Sequence, residues 1–342
     1  MRGLRSRFAS IGAAGVLWIA AACTDAPTAL DAGTAMELVL EGVRPLDPQE
    51  EGTLALWITT AAGDTIAAGR LDLSGAGEPG TVRLPFTLPA DDPLGVVVTL
   101  EPPGDDDDRP SAFPLLAGDF HDGAATLGIE GALTTGRPLE EAPGAHSLFT
   151  TSNNVEEGYP SDENAGIWLF SLIPSRNRHG TREVHVTPLR PGWIYEGWIV
   201  YRYGTPEEFW ISYGKYRPDV HGLLTSRDNT GSGVFSGDVD YVNGGVEDVP
   251  GEEWTTDRLG YEMPGGFALP LAVDAVDPAT GDAVWTHVIT IEPGFDEFEP
   301  LLTERPFLVR PYRNPIGAGG PGVPRVIEYV GLVPSGQARP VR

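Results

Sequence analysis

"VTLEPPGDDDDRPSAFPLL", residues 98–116, and "ITIEPGFDEFEPLL", residues 289–302, are two versions of one phrase. Taken as strands, they agree face for face. Val96, Val98 and Leu100 share one side of the first, and His287, Ile289 and Ile291 the same side of the second. Val97, Thr99 and Glu101 share the opposite side, matched by Val288, Thr290 and Glu292. Alternation of this kind is the two-residue period of a strand. Pro102 and Pro293 then stop both strands, because proline brings no N–H to a ladder.

The match extends outward. Upstream, "GVRPLDPQEEGTLALWI" (42–58) runs against "TPLRPGWIYEGWI" (187–199), setting Trp57 and Ile58 on Trp198 and Ile199. Downstream, "RPSAFPLLAGDF" runs against "FEPLLTERPFLV", and a final strand pairs "AATLGIEGAL" (124–133) with "PRVIEYVGLV" (324–333). Elsewhere the apolar runs are short and bounded by Gly, Pro, Asp and Asn, with no long helical period. The chain holds 44 Gly and 32 Pro, and many short strands between turn residues indicate a sandwich or barrel. The expected fold is therefore all-β, with two tandem antiparallel β-sandwich (Ig-like) domains. Copy one covers 36–133, and copy two covers 164–333 with an insertion at 222–266. Residues 134–163 are the linker and 334–342 a tail.

The amino end reads differently. Arg2, Arg5 and Arg7 precede an uncharged apolar run from Phe8 to Ala22. That run is shorter than the roughly 20 residues of a membrane span. Basic start, short apolar run and small residues at the end describe a signal peptide, here residues 1–22. Cys23, the only cysteine, follows at once in "IAAAC". This stretch resembles the lipobox of bacterial lipoproteins, with Ala20 where that family usually has Leu. The resemblance implies lipidation of Cys23 and a polar tether over 23–35. Buried acyl methylenes contribute about 0.8 kcal/mol each, so several chains would hold the protein on a membrane. The expected localisation is the cell envelope, by a lipid anchor only.

Formal net charge is −26, which excludes nucleic acid as a partner, since phosphates call for Lys and Arg. Copy one resembles the extracytoplasmic β domain of anti-sigma-K-type factors. Gly42, Pro45, Trp57, Gly69, Thr99, Glu101, Pro102 and Gly104 stand at the places of that domain's motifs. Such factors also carry a cytosolic sigma-binding domain and a membrane span, and this chain has neither part. The resemblance implies a β-sandwich outside the cytoplasm and a sensing role. Sigma-factor binding does not follow from it.

Candidate sites are few. Asp238, Asp240 and Glu247 in the insertion have the oxygen chemistry of a calcium site. The EF-hand order is not met, because Asn243 falls one place late and no glutamate closes the loop. A solvated acidic loop is the plainer reading, and calcium is the single cofactor candidate. The run Asp105–Asp108 reads as a solvated turn. Of six histidines no two have helical zinc spacing, and His287, where copy one has Val96, reads as a core histidine. In "GWIYEGWIVYRYGTPEEFWISYGKY" (192–216), Trp193, Tyr195, Ile199 and Tyr201 fall on one face and Ile194, Trp198 and Val200 on the other. One face is core. The other is either deeper packing or a platform for sugar rings or a protein, with Trp193, Tyr195 and Tyr201 as the candidate ligand-binding residues. No nucleophile elbow or singled-out carboxylate pair is present. The expected function is that of a non-enzymatic envelope lipoprotein binding a ligand or an envelope protein. The alternative is a calcium- or glycan-binding surface or adhesion protein.

Overall fold

A computed structural model describes residues 35–75, 79–86, 93–136, 138–141, 144–148, 167–168, 170–171, 181–182, 186–216, 264–267, 271–294, 306–319 and 324–341. The segment expected as signal peptide (1–22), Cys23 and the expected tether up to residue 34 lie outside the described residues. Among those described, every regular element is a strand or a single 3-10 turn, and every strand pair is antiparallel. The expected all-β antiparallel class is what the structure has.

The first half supplies β1 (Ala35–Glu41), β2 (Thr53–Thr60), β3 (Thr65–Arg70), β4 (Gly80–Pro85), β5 (Pro93–Glu101), β6 (Pro114–His121) and β7 (Ala124–Leu127). Next come β8 (Gly144–Leu148), β9 (Ile167–Trp168), β10 (Phe170–Ser171) and β11 (Thr181–Arg182). The second half supplies β12 (Trp193–Tyr201), β13 (Phe209–Tyr216), β14 (Trp285–Pro293), β15 (Val309–Pro315), β16 (Pro324–Leu332) and β17 (Ser335–Val341). Sheet one has the order β3-β2-β5-β6-β7-β17-β1-β4, sheet two the order β13-β12-β14-β15-β16-β8-β9, and β10 with β11 forms a separate ribbon. The edge strands of sheet one, β3 and β4, meet at Gly69 and Leu84, so that this sheet nearly closes on itself. Full closure would remove the strand edges, and near-closure brings the two that remain together. The segments expected as linker and tail each contain a strand, β8 and β17.

The repeated phrase occupies β5 and β14, the centre of each sheet's hairpin side. Its faces are as the alternation requires: Val96, Val98, Leu100, Ile289 and Ile291 join one continuous core that runs from sheet one to sheet two. The opposite face explains why the phrase needs Thr and Glu. In copy one the Trp57 indole N–H donates to Thr99 Oγ1 at 2.6 Å, and the Thr99 hydroxyl donates to the Glu101 carboxylate. In copy two Trp198 donates to Thr290 Oγ1 at 2.9 Å, and Thr290 donates to Glu292 at 2.5 Å. Each carboxylate then accepts a backbone N–H from the returning loop: Ser111 at 3.4 Å for Glu101, and Phe307 at 3.0 and 3.1 Å for Glu292. A buried indole N–H must find an acceptor, and the relay supplies one while pinning the loop that follows. Bulges also recur, at Leu56/Trp57 against β3 and at Gly197/Trp198 against β13. Downstream, Ser111 and Phe307 fill the same place in the relay. The register of the duplication therefore sets Arg109-Pro110 against Arg305-Pro306 of the sequence.

Candidate functional site

The aromatic stretch of copy two is buried on both faces. Trp193 is 1% exposed and Tyr195 is fully covered, both in the main core. Trp193 lies edge-on to Phe113 of copy one with centroids 6.0 Å apart, and its N–H donates to Pro114 O at 3.2 Å. The Tyr195 hydroxyl donates to Thr187 O at 2.8 Å. Tyr201 packs on Trp285 and Phe267, with centroids 5.3 and 5.1 Å away. The stacking-platform reading is corrected accordingly: Trp193 and Tyr195 are buried in the core and offer a sugar no open face, and Tyr201 is partly buried with its ring packed on Trp285 and Phe267.

The outer face of sheet two carries a second, smaller cluster of Trp198, Val200 and Val288, with Tyr203 and Trp210 packed against it. Tyr203 comes from the turn joining β12 and β13, which is opened by Arg202 in a left-handed conformation (φ 44). Trp210 stands edge-on to Trp198 at 5.7 Å and to Tyr203 at 5.8 Å. Two guanidinium groups from β15 lie over these rings, Arg310 over Trp210 at 5.1 Å and Arg313 over Tyr203 at 4.7 Å. An arginine over a ring face is held by the ring's quadrupole.

The two arginines differ in their remaining contacts. Arg310 donates to Phe307 O at 3.1 Å and Pro306 O at 3.3 Å, and burial pulls its pKa below the ordinary value. The Arg313 side chain makes no hydrogen bond or ion pair among the described residues, and the residue is half-buried. Its partner facing it on β16 is Glu328, and on β14 Val288. Arg202, across the groove, pairs with Asp277 at 3.4 Å and Glu207 at 3.5 Å.

Two hollows open beside Tyr203. One of about 740 Å³ is lined by Arg202, Asp277, Thr280, Asp282, Arg313 and Glu328. The other, about 590 Å³, is lined by Glu41, Arg44, Arg310, Leu332, Val333 and Ser335. The second is built by both halves of the chain, where β16 hands over to β17. This groove was missed in the sequence, because its members come from a turn, from β15 and from β16. The available signal was the contrast between copies at outward positions: Trp210 and Arg313 stand where copy one has Thr65 and Ala117.

The other candidates fall apart or lie elsewhere. Asp238, Asp240 and Glu247 are outside the described residues, as is His185. No group of three metal-ligating side chains occurs among the described residues. The run Asp105–Asp108 is a turn closed on its own backbone, with Asp105 and Asp107 accepting from the N–H groups of Asp107 and Arg109. His287 is fully buried in β14, and burial pushes its pKa down to about 3, so it is neutral at pH 7. The Thr99 and Thr290 hydroxyls are saturated within their relays and buried, which disqualifies them as nucleophiles. Burial raises the Glu101 pKa against the opposing Thr99 and Ser111 hydrogen bonds, but Glu101 lines neither hollow. Comparison with family models, curated proteins and solved structures returns no match.

Proposed function

We propose that the protein is a non-enzymatic binding protein of the cell envelope, tethered through a lipid on Cys23, and that the groove around Arg313 takes a carboxylate-bearing glycan. Each copy is read as one antiparallel, Ig-like β-sandwich module, in keeping with the resemblance of copy one to an extracytoplasmic sensing domain. The observation that carries the reading is Arg313. Its guanidinium carbon stands 4.7 Å over the Tyr203 ring centroid, and its side chain is left without an anionic partner among the described residues. A guanidinium held over a ring loses less freedom on binding, and its planar fork of N–H donors matches a planar oxyanion. Asp277, Asp282, Thr205 and Thr280 around the same hollow offer the acceptors and hydroxyls that sugar hydroxyls pair with. A chain of net charge −26 repels anions at long range, so the site would select ligands by geometry and not by steering.

The test is calorimetric titration of the protein with hexagalacturonate, and with neutral maltohexaose as control. Binding is expected for the acidic oligomer alone, weakened at least tenfold by Arg313→Gln with an unchanged melting temperature. Equal binding of the neutral oligomer, no binding of either, or full affinity in Arg313→Gln would overturn the proposal.

A further inference from the structure

We infer that the protein is a strand-exchanged pair of half-molecules joined into one chain, so that each half is completed only by the other. The two sheets match slot for slot. Their orders begin β3-β2-β5-β6-β7 and β13-β12-β14-β15-β16, and the next slot is filled by β17 in sheet one and by β8 in sheet two. The strand that follows β7 in the chain is β8, yet it lies beside β16. The strand that follows β16 is β17, yet it lies beside β7. The exchange is reciprocal, and its registers agree. Gly336 faces Leu127 and Ala338 faces Ala125 on one side. Gly144 faces Ile327 and His146 faces Arg325 on the other. Even the next strand out agrees, with Pro340 facing Met36 and Leu148 facing Ile167.

This arrangement has the pattern of domain swapping, in which an identical element is traded between two protomers. Here the protomers are the two copies. The consequence is asymmetric to intuition: the last described strand of the chain holds together the first sheet. Without β17, β1 and β4 have no ladder to β7, and sheet one splits into β3-β2-β5-β6-β7 and β1-β4. Unpaired backbone groups would open on both sides of the gap. Both crossings are pinned. Near the first, the Arg190 side chain donates to Gly131 O at 2.7 Å, the Thr135 N–H donates to Pro188 O at 2.8 Å, and the Tyr312 hydroxyl donates to Leu139 O at 2.9 Å. At the second, Gly42 (φ 67) lies so close that a Cβ there would stand 3.3 Å from Val333 O. The partner that fits each half is thus another half of the same kind. A chain carrying one copy would satisfy its open slot by trading strands with a second copy of itself.

The test uses the full chain. A protease site is placed in the segment 149–166, between β8 and β9, and the folded protein is cut there. In a Cys23→Ser background, Glu37→Cys and Arg339→Cys are added. These residues face each other across the antiparallel β1 and β17, where opposed Cα atoms stand about 4.5–5.5 Å apart, within disulfide reach. The cut protein is expected to elute from gel filtration at the volume of the uncut protein. After oxidation its two pieces run as one band on a non-reducing denaturing gel and as two bands after reduction. Pieces that separate in native buffer, or that stay unlinked after oxidation while the uncut protein keeps its β circular dichroism, would overturn the inference.

Discussion

Copies one and two share a frame and differ on its outer face. Where sheet one carries Thr59, Thr65, Pro114 and Ala117, sheet two carries Val200, Trp210, Arg310 and Arg313. The turn between β2 and β3 is four residues long, "AAGD", whereas the longer turn 202–208 lifts Tyr203 over the sheet. What stays the same is buried and structural: the Trp–Thr–Glu relay, the bulge beside the Trp, the exchanged strand. What differs is outward and chemical. In sheet two that face carries rings and guanidinium groups where sheet one has smaller side chains. The comparison therefore separates residues that make the module from residues that form the groove proposed to bind a ligand.

The largest effect should come from the shared part. Trp57→Ala and Trp198→Ala should each cost about 4 kcal/mol, the range for deleting a buried aromatic, in urea unfolding followed by fluorescence and circular dichroism. The Trp198 change should cost more, because Trp210 loses its edge contact as well. A cost below about 1 kcal/mol at either site would break the equivalence of the two relays.

A smaller effect separates the copies at the position where β14 has His287 and β5 has Val96. The folded pKa of His287 lies near 3, below the unfolded value of about 6.5. The unfolded chain thus binds a proton that the native chain refuses, and stability falls as pH drops from about 6.5 toward 3. Near pH 4 this amounts to about 3 kcal/mol. His287→Val, which installs the residue of copy one, should flatten that part of the stability–pH curve. An unchanged slope in urea titrations at pH 7, 5.5 and 4 would show that acid lability resides elsewhere.

The smallest effect tests how well each relay is satisfied. Glu292 receives the Phe307 N–H on both oxygens, whereas Glu101 leaves Oε2 buried and without a hydrogen bond among the described residues. With its folded pKa raised, Glu101 favours the native state while protonated, and that contribution is lost as pH rises through the folded pKa. Glu101→Gln should therefore raise the melting temperature at pH 7 and leave it unchanged at pH 4. Glu292→Gln should give no such gain. A fall in melting temperature at pH 7 for Glu101→Gln would show that the carboxylate is better solvated than its burial implies.

Much of the module was legible in the sequence because strand period, proline stops and paired Thr and Glu repeat in register. Those signals are local and repeat twice. The faces of β5 and β14 followed from alternation alone, whereas in β12 alternation separated the two faces without telling which one joins the main core, and His287 was read correctly as core. The exchange was not legible. "SGQARPV" has no apolar stripe to announce a buried slot, and only Ala338 of it is deeply covered, so it read as a tail. Nor was the groove legible, since Tyr203, Arg310 and Arg313 meet only after β15 is laid beside β14. The aromatics drew attention to Trp193, whose ring packs between the copies, and to Tyr195, which is buried in the core.

The place of β17 also sets a timetable. Strand β1 leaves the ribosome well before β17, its neighbour on the β7 side. The first sheet cannot be completed until β17 has been made. Pairings so distant in sequence are slow to form, and a half-made chain is held open by its own topology. For a polypeptide that must thread through a membrane before it folds, as the proposed signal peptide requires, that delay is protective. An exported chain would close both sheets only once β17 has crossed.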